Sequence, residues 1–147
     1  GNFPAADSNK GLQTKMWQHV ALTVDCATRE YKIYINGRLQ SDGTMSMTAI
    51  DIQGNASDRD FLIGKSYDDN RWFEGDMSEV RVWNVVRTQE EIASHIYNVD
   101  PQTPGLVGYW KMDDNTSAYR VVDATGHGND AVAAGALSWR NVSLPEK

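Results

Sequence analysis

Residues 73–92 read FEGDMSEVRVWNVVRTQEEI, and the phase of their apolar side chains decides what kind of strand they make. In an extended chain Phe73, Gly75 and Met77 share one face, whereas Val80 and Val82 fall on the other. One extra residue near Ser78 and Glu79, a β-bulge, turns Met77, Val80 and Val82 to a common inward face. The same bulge gathers Glu74, Asp76 and Glu79, spaced E-x-D-x-x-E, on the opposite face. Three carboxylates on one strand could serve a glycoside hydrolase, in which one carboxyl group protonates the leaving oxygen and another attacks or activates water. They are also what a solvated strand face carries.

Spacing weighs against catalysis. Retaining glycosidases hold two carboxyl groups about 5–5.5 Å apart, while Glu74 and Glu79 are four or five strand positions apart at about 3.3 Å each. Downstream, Thr88 followed by Glu91 forms a capping box, which predicts a helix over about 88–97 with Ile92, Ala93, Ile96 and Tyr97 as its apolar stripe.

Upstream the chain reads as β. Trp17–Val24 alternates, with Trp17, His19, Ala21 and Thr23 on one face and Val20, Leu22 and Val24 on the other. Tyr31–Ile35 alternates again before Asn36-Gly37, a tight-hairpin dipeptide, and Arg38–Gln40 returns as the partner strand. Phe61–Gly64, Leu106–Met112 and Leu137–Trp139 are further strand candidates, and 123–130 is a glycine-rich turn.

Composition excludes several function classes. The 147 residues, 40% of them apolar, suit one domain spanning 1–147. A formal charge of −6 without clustered Lys or Arg argues against nucleic acid or an anionic membrane surface as partner. No apolar run reaches the roughly 18 residues of a membrane span, so no membrane insertion is expected. The single cysteine, Cys26, forms no internal disulfide and is expected to be a small core residue.

Several ordered motifs together carry a resemblance: W-x-H-V-A at 17–21, Y-I-N-G at 34–37, F-L-I-G at 61–64, F-x-G-x-M-x-E-V-R-V-W-N at 73–84, T-x-E-E-I at 88–92 and G-L-V-G-Y-W-K at 105–111. The chain resembles the laminin-G-like, concanavalin-A-like jelly-roll superfamily of bacterial secreted type. The resemblance implies an all-β fold, an antiparallel two-sheet jelly-roll sandwich with one short helix. It also implies a non-catalytic carbohydrate-binding or adhesion module of an exported protein, with a protein-interaction domain as the main rival. In non-catalytic members Glu79 and Arg81 would be neighbours on a solvated strand face. Such domains open with strands ahead of W-x-H-V-A, so the chain is read as the C-terminal part of a longer one, with a homodimer through an unpaired sheet edge as one consequence.

Sugar recognition needs an aromatic ring for the apolar pyranose face and polar groups for the hydroxyls. Tyr67, Asp68, Asp69, Asn70 and Trp72 combine them in one loop and form the expected ligand site. Some relatives bind calcium, which takes six to eight oxygen ligands. Asp123, Asn129 and Asp130 in the 123–130 turn are the expected metal ligands, although the same residue types make an ordinary self-capped turn.

Overall fold

The computed structural model describes residues 12–45, 61–65, 72–113 and 117–143, which form an all-β fold of antiparallel sheets with one short helix. The elements are β1 Val20–Val24, β2 Glu30–Ile35, β3 Arg38–Thr44, β4 Val80–Trp83, α1 Gln89–Ser94, β5 Leu106–Trp110, β6 Arg120–Val121 and β7 Ala131–Val132. Among the described residues, one sheet has the order β1-β2-β3, a second pairs β4 with β5, and a third pairs β6 with β7.

The Asn36-Gly37 hairpin forms as its residues require. Both take positive φ, 49° and 73°, which is the backbone of a primed turn matching strand twist. Asn36 also anchors the start of β1: its Oδ1 accepts the His19 N–H at 2.9 Å, and its own N–H donates to His19 C=O at 2.8 Å. Gly37 has a second duty, because a Cβ there would lie 2.7 Å from Ala93 Cβ on α1.

α1 ends sooner than its apolar stripe suggests. The capping box is present, with Glu91 N–H donating to Thr88 Oγ1 at 3.2 Å and Thr88 N–H to Glu91 Oε2 at 2.8 Å. Three residues later Ser94 Oγ donates to the carbonyls of Glu90 and Glu91, and His95 Nδ1 lies 2.9 Å from Glu91 O. Side chains thus occupy acceptors that a further helical turn would need, and Arg81 Nη1 takes the carbonyl of His95. Ile96 and Tyr97 fall outside the helix.

On β1 the buried residue is Thr23, while Val20 and Leu22 are 51% and 50% exposed. Other expectations need correction. Phe61–Gly64 is not a strand: Gly64 at φ 81° turns the chain, and among the described residues a single bridge, Lys65 with Trp72, follows. Leu137–Trp139 is likewise irregular, tied back through Leu137 N–H to Ala118 O at 2.7 Å and Trp139 Nε1–H to Ser117 O at 3.0 Å. Cys26 is exposed, because the Asp25 carboxylate accepts the N–H groups of Ala27 and Thr28 and folds the segment into a surface turn.

Candidate functional site

The strand that opened the question has a break where the phase changes. Glu79 has φ 60°, a left-handed backbone unusual for a residue other than glycine, and β4 begins immediately after it. The irregular step in the β4–β5 ladder itself lies further on, between Val82 and Trp83. The break does not put the three carboxylates together on a solvated face. Glu74 and Asp76 are exposed, and Asp76 Oδ2 lies 3.8 Å from Arg140. Glu79 turns inward, with its side chain 16% exposed beside an Arg81 side chain that is 8% exposed.

There Glu79 Oε2 receives both the Arg81 guanidinium and the hydroxyl of Tyr109, a residue with no exposed surface. The Arg81 guanidinium also stands 5.0 Å from the Tyr109 ring centroid. Burial, then the hydrogen bond and charge of Glu79, push the Tyr109 hydroxyl up to about 12, with Arg81 opposing. Tyr109 belongs to the core cluster with Val99 and Leu106, against which Trp83 and Ala124 pack. The Glu79–Arg81 pair is therefore a tie inside the fold. The sequence expectation of a solvated pair fails because Tyr109, thirty residues away, supplies a buried donor.

Of the expected ligand loop, Tyr67, Asp68, Asp69 and Asn70 lie outside the described residues. Trp72 is 61% exposed. It stands at the loop's closing end, bridged to Lys65, with Phe73 N–H donating to Gly64 O at 2.9 Å. Lys65 Nζ sits 4.6 Å from its ring centroid, a cation–π contact. The loop's two ends are thus held together, and an indole is presented at the surface beside a cation. Phe61, Leu62 and Phe73 are also exposed.

The 123–130 turn closes β6 against β7 and uses its acidic groups on itself. Asp123, 3% exposed, accepts at Oδ1 from Tyr109 N–H at 3.0 Å, Thr125 N–H at 3.1 Å and Thr125 Oγ1 at 2.8 Å. Its Oδ2 accepts from Asn129 N–H at 3.2 Å. Asp130 Oδ1 accepts the Asp123 N–H at 2.7 Å, and its other oxygen pairs with Arg120. Asn129 gives its side-chain N–H to Val107 O at 3.0 Å. Burial alone would raise the Asp123 pKa, but the bonds from Thr125, Tyr109 and Asn129 outweigh it and hold it below the usual carboxylate value. With four donors already on it, the Asp123 carboxylate serves the turn as an internal acceptor and has little left to offer a calcium ion. Among the described residues no three His, Cys, Asp or Glu side chains are grouped to hold a metal ion.

Sequence reading did not reach one further cluster. His19 Nδ1 and Arg81 Nε are buried without a hydrogen-bond partner among the described residues, and both residues line an opening of about 1350 Å³ bounded by β1 and β4. Burial, then the charge of Arg81, holds His19 below its ordinary 6.5. The W-x-H-V-A motif was the available signal, but nothing local to it indicates a cation across the gap.

The concanavalin A-like lectin/glucanases superfamily matches residues 1–93 of this chain. A solved structure of a protein from Bacteroides ovatus ATCC 8483, proposed to bind carbohydrate, is similar at a TM-score of 0.71 with 34% sequence identity. The similarity covers 89% of this chain but 40% of that protein, so the chain spans less than half of its length. No curated protein matches the sequence.

Proposed function

The chain belongs to the concanavalin A-like lectin/glucanase superfamily, and we propose that it acts as a non-catalytic carbohydrate-binding module of an exported protein. The observation that carries this reading is Trp72, an indole 61% exposed at the pinned base of a loop whose sequence, Tyr67-Asp68-Asp69-Asn70, is rich in sugar-type hydrogen-bonding groups. An exposed ring covers the apolar face of a pyranose, and carboxylates and amides meet its hydroxyls. The similarity to a protein proposed to bind carbohydrate supports it. The non-catalytic half of the reading rests on Glu79, whose carboxylate is engaged by Arg81 and Tyr109 rather than open to a glycosidic oxygen.

A glycan array with the wild type, Trp72→Ala and Glu79→Gln tests both halves. Binding lost in Trp72→Ala with folding retained supports the reading. Hydrolysis of a bound glycan by the wild type, abolished in Glu79→Gln, overturns it.

A further inference from the structure

Asn36-Gly37 is the one Asn-Gly pair of the sequence, and it carries a reactivity that the hairpin controls. When glycine follows asparagine, no Cβ shields the glycine nitrogen, so that nitrogen can attack the carboxamide carbon of its neighbour. A bond forms between Gly37 N and Asn36 Cγ, and the Gly37 amide proton passes to solvent base. The Cγ–Nδ2 bond breaks with release of ammonia, leaving a succinimide ring. Water then opens the ring at either carbonyl. The net change takes up a water and loses an ammonia, and the products at position 36 are aspartate and isoaspartate.

In the folded chain two contacts oppose ring closure. Asn36 Oδ1 accepts the His19 N–H at 2.9 Å, which holds the carboxamide against the start of β1. The backbone is held at the same place, since Asn36 N–H donates to His19 O at 2.8 Å. Cγ must leave this tie before it can swing onto Gly37 N. The second contact is α1. Gly37 is buried although Asn36 is exposed, and a Cβ added at Gly37 would lie 2.7 Å from Ala93 Cβ. Packing of that closeness leaves the turn little room to rotate and keeps solvent base from the Gly37 N–H.

We propose that Asn36 is a conditional modification site, silent while the turn is tied to His19 and packed on α1, and converted to aspartate and isoaspartate once the turn opens. The two products act differently on the fold. Aspartate keeps the hairpin, because Asp-Gly also takes a primed turn and its carboxylate can accept the same His19 N–H. Isoaspartate routes the main chain through Cβ and Cγ. The extra methylene offsets the pairing of Ile35 with Val20 and with Arg38, so the sheet does not reclose in its register.

The test is mass spectrometry of the full chain held at mildly alkaline pH, in buffer and over a urea series. The tryptic fragment Ile33–Arg38 is read for the amide-to-acid mass gain and for isoaspartate, and the same segment as a synthetic peptide gives the rate without a fold. The native chain is expected to convert at least about tenfold more slowly than the peptide, because only the opened fraction reacts, and to reach the peptide rate across the unfolding transition. Ala93→Leu, which crowds the Gly37 contact, raises the rate without urea while the circular dichroism spectrum is retained. After urea is removed, chains carrying aspartate regain the native spectrum and chains carrying isoaspartate do not. A native chain that converts as fast as the peptide overturns the proposal, as does a rate that stays flat across the transition; neither result depends on a variant. A folded Ala93→Leu with the wild-type rate overturns the part assigned to α1, and equal recovery of the two products overturns the effect on register.

Discussion

Tyr109 donates its hydroxyl hydrogen to Glu79 Oε2, the oxygen that also pairs with Arg81, so one carboxylate ties β4, β5 and, through Arg81 and the His95 carbonyl, the end of α1. Removing one partner of a buried ion pair costs about 3–5 kcal/mol, because the other charge is left uncompensated. Glu79→Ala is therefore expected to lower stability by that order in urea unfolding. Glu79→Gln, which keeps an acceptor for both donors, loses less. Equal stability of Glu79→Ala and wild type would mean that the tie is not formed.

Tyr109 itself makes an alkaline prediction. Its folded pKa, about 12, lies above the ordinary 10.0, so its contribution to stability is complete below pH 10 and is lost as pH rises through 12. Ultraviolet titration of tyrosinate should show one tyrosine ionising last, and Tyr109→Phe should remove that step.

Gly37 answers two demands at once, a φ of 73° and an approach to α1 so close that an added Cβ would lie 2.7 Å from Ala93 Cβ. Gly37→Ala meets a left-handed penalty of about 1–2 kcal/mol together with overpacking against α1, for a total loss of about 2 kcal/mol or more. The paired change Gly37→Ala with Ala93→Gly should not restore Tm, because the added Cβ would still lie 2.8 Å from the Ala93 Cα.

On the acid side two steps are expected. His19 is held below 6.5, so its contribution is fully present above that pH and declines as pH falls towards its folded value. Asp123 and Asp130 are held below 3.8, so their contribution is present above that pH and is lost as pH falls through their folded values. Urea midpoints measured against pH should decline in that order, and His19→Gln should remove the first decline only.

The four N–H and O–H donors on the Asp123 carboxylate predict that calcium does not stabilise this turn. A thermal melt should give the same Tm with calcium and with EDTA, whereas Asp123→Asn should lower it. A calcium-dependent rise in Tm that disappears in Asp123→Asn would contradict this account.

Local chemistry was legible wherever one short stretch carries both the demand and its solution. Asn36-Gly37 encodes a positive-φ turn, Thr88 and Glu91 encode a helix start, and alternation over 31–35 encodes a strand. The apolar phase change pointed to an irregularity near Glu79, but not to its form: a bulge within the strand was expected, whereas Glu79 at φ 60° precedes β4 and the irregular step of the ladder lies between Val82 and Trp83. Boundaries set by distant donors were not legible. The end of α1 depends on Arg81 reaching the His95 carbonyl, and the short β6–β7 pair gives too few residues for a periodic signal.

The candidate sites divide in the same way. Sequence order placed Trp72 beside its polar loop and gathered Asp123, Asn129 and Asp130 in one turn, since both groupings are local. Tertiary structure decided what their atoms face: Lys65 over Trp72, backbone N–H groups of Tyr109 and Asn129 on Asp123, and Tyr109 with Arg81 on Glu79. A carboxylate's residue type and spacing are written in one dimension. Whether it serves as a catalyst, a metal ligand or a structural acceptor depends on which donors occupy its lone pairs, and those arrive from strands that only the folded chain brings together.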